Sequence, residues 1–195
     1  MGVSLLWCAC SEPPRQPDMT SAHLDHLVFE DLQGEQTALG TMEGTQATLY
    51  LTLDPECPMT LGYVPLLDSL QTALPTGVAM VGFYPARFIV RDSAAAFARK
   101  SRLFFPQIMD PACELSGALR ARVTPEAFLV TMSGKVLYRG ALDDSAVREG
   151  RKRSVTKHYL RDALNAFAAG TDQPTPEVKA LGCIIECAYN DMNDE

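Results

Sequence analysis

The most constraining part of the chain runs from Ala47 to Tyr84. "ATLYLTL" (Ala47 to Leu53) is β-rich and reads as a buried strand. The turn "DPE" follows, and a helix is expected to start near Pro58, which suits a first helical position. Tyr63, Leu67, Leu70 and Leu74 then fall on one face at helical spacing. Pro65 sits inside that helix, where its missing N–H and its ring predict a kink. "VAMVGFY" (Val78 to Tyr84) is a second buried strand. A strand, a crossover helix and a second strand form a βαβ unit, which calls for parallel pairing in one sheet.

The remaining segments build around that unit. "LVFEDLQGEQTAL" (Leu27 to Leu39) reads as a short hairpin or edge strand. "SAAAFARKSRL" (Ser93 to Leu103) is helical, "FFPQIMD" a short strand, and "PACELSGALRA" a short helix with Pro111 near its start. "EAFLVTM" and "KVLYRGAL" are strands joined through Ser133-Gly134, a hairpin signal. A final helix is expected from a Ser154 N-cap to Gly170, with Tyr159, Ala163, Ala166 and Phe167 as its apolar stripe. This order predicts an α/β domain with a central mixed β-sheet flanked by helices. The expected division is a disordered tail or signal remnant over residues 1–24, one domain over 25–170, and an extension over 171–195 laid across the domain.

The chain's 195 residues suit one domain with a full core, and 47% hydrophobic against 21% charged residues fits an ordinary globular protein. A net charge of -7 argues against a nucleic-acid or anionic-membrane surface. The one basic run, Arg148 to His158, reads as a solvated loop leading into the last helix. There is no transmembrane segment, because nothing approaches the roughly 18 consecutive apolar residues that one needs. The start, "MGVSLLWCACSEPPRQPD", has a short apolar run before Cys10 and resembles the end of a bacterial lipoprotein signal. That reading favours a periplasmic or cell-envelope location with a lipid anchor at Cys10 over a cytoplasmic one.

Six cysteines (Cys8, Cys10, Cys57, Cys113, Cys183 and Cys187) are too sparse for a disulfide scaffold. No haem-attachment or zinc pattern occurs, so no cofactor or metal is expected. Cys57 differs from the others in its setting, because it follows a buried strand and opens a helix. A helix N-terminus stabilises the thiolate, the nucleophilic form of cysteine. Asp54 and Glu56 act in the opposite sense.

Two stretches carry a family likeness. "CPMTLGYVPLL" resembles the active-site helix of the thioredoxin superfamily, with Pro65 where that family's helix-kinking proline falls. "RVTPEAFLVTMSGKVLYRGAL" resembles its second signature, in which a Thr-Pro pair with a cis bond faces the reactive cysteine; here the pair is Thr124-Pro125. The longer segment between, including "FFPQIMDPACELSGAL", resembles the redoxin (AhpC/TSA-like) branch, which adds elements before the cis-proline strand. The resemblance implies a thiol-based redox protein acting through Cys57, either a thiol–disulfide oxidoreductase or a weak peroxiredoxin-like peroxidase. Its partners would be a thiol or disulfide protein, or peroxide, and an external thiol reductant. Thr60 would donate a hydrogen bond to the Cys57 thiolate, and Thr124 and Pro125 would shape the groove for an extended partner chain.

The chain also departs from the family pattern. Thr60 stands where thioredoxins have their second cysteine. Asp54 and Tyr50 stand where peroxiredoxins have their Thr and Pro, and neither Arg120 nor Arg122 takes the place of their arginine. Cys57 therefore needs a distant resolving cysteine, with Cys183 the first candidate and Cys113 the second, or an external thiol. A Cys183–Cys187 pair is a further arrangement if that stretch is helical. The alternative from another class is a non-catalytic scaffold that keeps the fold and uses the cis-proline groove for binding. His158 reads as an exposed helical residue, and His23 and His26 have no partner that the sequence suggests. Trp7 belongs to the tail, and Tyr63 reads as core.

Overall fold

The computed structural model describes residue 24 and residues 26–39, 44–148, 151–171 and 174–186. Strands β1 (Val28–Glu30) and β2 (Gln36–Ala38) form an antiparallel hairpin. Then come β3 (Ala47–Thr52), helix α1 (Pro58–Leu70) and β4 (Val78–Tyr84). Helix α2 (Arg91–Ser101), β5 (Gln107–Met109), α3 (Glu114–Leu119) and the two-residue β6 (Val123–Thr124) follow. The chain continues through β7 (Ala127–Thr131), β8 (Val136–Gly140), β9 (Ala146–Arg148), β10 (Arg151–Lys152), α4 (Tyr159–Ala168) and β11 (Cys183–Ile184).

The central sheet has the order β5-β4-β3-β7-β8. β3, β4 and β5 are parallel; β7 runs antiparallel to β3, and β8 antiparallel to β7. Side chains alternate across it, as strand geometry requires. Leu49, Leu51 and Leu129 point to one face, where they meet Tyr63, Leu67 and Leu70 of α1 and Leu160, Ala163 and Leu164 of α4. Tyr50, Phe128 and Val130 point to the other, where they meet Leu115 and Leu119 of α3 and Phe29 of the hairpin. Leu49, Leu51 and Leu67 are fully enclosed, and each such side chain contributes roughly 1.5–3 kcal/mol through burial.

Two helix starts differ from the sequence expectation. α4 begins at Tyr159 with His158 at the N-cap, not at Ser154. The reason is Asp144. Its carboxylate accepts the backbone N–H groups of Thr156 (2.8 Å) and Lys157 (2.9 Å), the Thr156 hydroxyl, and Nη2 of Arg153. Residues 153–157 are therefore held as a loop, and those hydrogen bonds keep the Asp144 carboxyl well below the usual carboxylate range. The apolar stripe of α4 turns accordingly: Leu160, Ala163 and Leu164 are buried, with Tyr159 and Phe167 at its margin.

In α3, Pro111 lies in the turn before the helix, which starts at Glu114. Asp110 sets that start by accepting the N–H groups of Leu115 and Ser116. Beyond α4, residues 174–186 cross back over the sheet edge. Thr175 donates to the Leu137 carbonyl (2.8 Å) and Ala141 to that of Val178 (2.9 Å). Gly140, at φ +129°, permits this approach, since a Cβ there would overlap the Val178 carbonyl.

Candidate redox site

The site lies where β3 ends and α1 begins. Cys57 is the N-cap of α1, extended at φ -71° and ψ 117°, with Pro58 as the first helical residue. Only 1% of Cys57 is exposed. Glu56 donates its N–H to the Asp54 carboxylate (2.8 Å), and Cys57 donates its own to the Asp54 carbonyl (3.3 Å). These bonds shape the turn that delivers the cysteine to the helix.

Thr124 and Pro125 face it. The bond between them is cis. Thr52, at the end of β3, fixes this loop. Its hydroxyl donates to the Val123 carbonyl (2.7 Å) and accepts the N–H of Glu126 (2.6 Å). The Glu126 carboxylate accepts the Arg122 N–H (2.9 Å), and burial pushes its carboxyl up despite that bond. The Thr124 carbonyl oxygen consequently sits 3.2 Å from Cys57 Sγ, where it can accept a proton from the reduced thiol.

Cys183 completes the site. It forms a disulfide with Cys57, 126 residues away in sequence, with the two Cα atoms 6.1 Å apart. β11 reaches Cys57 by pairing antiparallel with β6, Cys183 opposite Thr124 and Ile184 opposite Val123. Ile185 donates its N–H to the Arg122 carbonyl (3.1 Å) and buries its side chain with Leu115 and Leu119. Gly182 is needed for close passage, because a Cβ there would overlap the Thr124 carbonyl. The edge of Thr124-Pro125 is thus occupied by the chain's own C-terminal segment.

Two hydroxyls, those of Thr60 and Thr124, are buried and make no hydrogen bond. Buried hydroxyls are nearly always paired, so two such groups at one site are unusual. Thr60 lies one helical turn after Cys57, on the same side of α1.

No protein-family model and no curated protein matches the chain. Solved structures do. A hypothetical protein, SMc02350, from Sinorhizobium meliloti 1021 is similar at 24% identity and a TM-score of 0.70, over 82% of this chain and 90% of that one. An uncharacterized conserved protein from Geobacillus kaustophilus is similar at 24% identity and 0.66, over 82% and 87%. A secreted Mycobacterium tuberculosis disulfide oxidoreductase homologous to E. coli DsbE is similar at 18% identity and 0.51, over 59% and 82%.

The fold is thioredoxin-like. Within the thioredoxin-like frame, the structure brings together Cys57, Thr60, Thr124, Pro125 and Cys183. It does not bring Cys113 to Cys57. Cys113 caps α3 with a left-handed backbone (φ 63°) and is disulfide-bonded outside the Cys57–Cys183 pair. Cys183 is bonded to Cys57 on a strand, so it is not paired helically with Cys187. Cys187, Cys8, Cys10, Trp7 and His23 lie outside the described residues, as does the anchor expected at Cys10.

Tyr63 is more than core: its hydroxyl donates to Asp143 (2.7 Å), which also accepts from Ser145 (2.6 Å), so α1 is tied to the loop after β8. Thr52, Glu126 and Asp143 escaped the sequence reading. The only signal for Glu126 was a carboxylate at the head of an otherwise apolar strand. Among the described residues, no helix is long and apolar enough to cross a membrane.

Proposed function

We propose that the protein is a thiol–disulfide oxidoreductase whose redox pair is Cys57 and Cys183. The observation that carries this reading is their disulfide, formed at a helix N-cap against the cis Thr124-Pro125 bond. A partner dithiol is oxidised to its disulfide while the Cys57–Cys183 bond is reduced to two thiols, and the reverse exchange reduces a partner disulfide. Cys57 supplies the stabilised thiolate, through the helix dipole of α1 and through Thr60 and Thr124, whose unpaired hydroxyls gain an acceptor once the sulfur is charged. Cys183 supplies the second sulfur of the pair, which Thr60 displaces from the helix.

Peroxide reduction has less support, because Asp54 and Tyr50 stand where a peroxidase would need Thr and Pro. Exchange draws further support from the similar secreted M. tuberculosis protein, which is a disulfide oxidoreductase. That similarity and the disulfide bonding of Cys57, Cys113 and Cys183 also support action outside the cytoplasm, on thiol-bearing proteins.

The test is oxidation of a fluorogenic dithiol peptide by the oxidised protein. Wild type is expected to transfer one disulfide per chain, and Cys57→Ser and Cys183→Ser none. Transfer that persists in Cys183→Ser would remove Cys183 from the pair. A folded wild type that transfers nothing would leave the disulfide as a structural brace.

A further inference from the structure

Resting on the exchange reading above, we propose that partner thiols enter the oxidised site at Cys183 and not at Cys57, so that Cys57 is the leaving sulfur of the first step. The two sulfurs are not equally reachable. Cys57 is 1% exposed, enclosed by α1 and the Thr124-Pro125 loop. Cys183 is half-buried on a two-residue strand at the surface. A thiolate must approach the sulfur it attacks from the side opposite the bond that breaks, and of the two cysteines Cys183 is the one with exposed surface. Leu181 (39% exposed) and Ile184 (65% exposed) expose apolar surface on the same segment as Cys183. They suit a cysteine with apolar neighbours on a partner protein.

The leaving-group chemistry points the same way. A disulfide opens faster when the expelled sulfur is the better thiolate. Cys57 sits at the N-terminus of the 13-residue α1, one turn before Thr60, whose buried hydroxyl is unpaired, as is that of Thr124. Cys183 has no helix behind it. Both the accessible face and the stabilised leaving group therefore select attack at Cys183.

In the first step the partner thiol gives its proton to solvent, and its sulfur bonds to Cys183 Sγ. The Cys57–Cys183 bond breaks, and its electron pair leaves on Cys57 Sγ. A second thiol of the partner then gives its proton to solvent, and its sulfur attacks the partner sulfur of the mixed disulfide. That forms the partner's disulfide and expels Cys183 as a thiolate, which takes a proton from solvent. The partner is oxidised and the protein reduced by two electrons.

The experiment uses the full oxidised chain and glutathione as the probe thiol. The mixture is quenched in acid over a series of early times, digested at low pH, and the adducts are located by mass spectrometry. Extrapolated to zero time, glutathione on Cys183 should exceed glutathione on Cys57 by at least about tenfold, with Cys57 the free thiol. Adduct predominantly on Cys57, or divided evenly, overturns the proposal while leaving the exchange function intact. A native disulfide that glutathione and dithiothreitol both fail to open removes the exchange function itself, and with it the proposal. As a second readout, an Ile184→Ser variant should react more slowly with an apolar-flanked cysteine peptide and at an unchanged rate with glutathione; equal slowing of both would deny the apolar face a role.

Discussion

Cys57 and Cys183 form one bond but belong to very different parts of the molecule. Cys57 is built into the frame: strand β3 precedes it, α1 follows it, and Thr52 anchors the loop against it. Cys183 hangs on a segment held by two paired residues of β11, the Ile185 side chain and a few backbone bonds. The difference bears directly on the exchange proposed above. In that exchange, the frame would keep the buried sulfur as the one that carries charge, while the strap holds the half-buried one. In a helix-borne Cys-x-x-Cys pair both sulfurs share one rigid element; here the second is on a two-residue strand outside the five-stranded sheet.

The largest effect that sharpens this contrast comes from reduction. Breaking a bond that closes a loop of 126 residues is expected to lower stability by about 2–5 kcal/mol in denaturant titrations. Hydrogen exchange should locate the loosening: residues 174–186 lose protection first, while β3, β4 and β7 keep theirs. Uniform loss across the sheet would break the distinction between frame and strap.

Next is Gly182→Ala, whose Cβ would overlap the Thr124 carbonyl. A cost of about 1–3 kcal/mol in strap docking should shift the glutathione equilibrium toward the dithiol by about tenfold or more. An unchanged equilibrium would mean that β11 does not hold Cys183 in place.

Thr60→Val probes the frame alone. Removing a donor from the Cys57 thiolate should raise the thiol pKa by about one unit, read from alkylation rate against pH. Because the hydroxyl has no partner in the oxidised protein, oxidised-state stability should not fall. A variant that destabilises the oxidised form and leaves the thiol pKa alone would assign Thr60 to packing.

The smallest effect concerns Glu126 and pH. Burial raises its folded-state pKa above the ordinary 4.5, so the folded protein holds a proton that the unfolded chain has released. Stability therefore declines as pH rises from 4.5 through that raised value. Glu126→Gln, which keeps an acceptor for the Arg122 N–H, should flatten this part of the profile. Asp144 works oppositely: its depressed pKa contributes stability above 3.8 that is lost on acidification, in wild type and variant alike. A Gln variant with the wild-type slope above pH 4.5 would acquit Glu126.

Local patterns carried most of the fold. β4 runs from Val78 to Tyr84 as its apolar run reads, and α1 starts at Pro58 with Pro65 inside. The resemblance of "RVTPEAFLVTMSGKVLYRGAL" to the thioredoxin superfamily's second signature, not a local pattern, set Thr124-Pro125 against Cys57. The failures share a cause. Ser154 has the chemistry of an N-cap, but Asp144, ten residues earlier, captures Thr156 and Lys157 and postpones the helix. Pro111 suits a helix start, but Asp110 sets it at Glu114. Thr52 and Glu126 meet across 74 residues, and no local signal marks such a bond. For Cys57, the apolar stretch around Cys183 made that cysteine the first candidate, yet its strand pairing with Thr124 depends on Gly182, whose role appears only when two backbones pass closely.

The redox role of the pair is tested most directly by equilibrating the wild-type protein in glutathione buffers of graded ratio, trapping thiols with acid and alkylation, and mapping them by mass spectrometry. Cys57 and Cys183 should convert together and reversibly, with the dependence on buffer ratio of a single two-electron couple, and the sheet should stay folded throughout. A Cys57–Cys183 disulfide that persists until the protein unfolds would contradict the account and leave the bond a purely structural one.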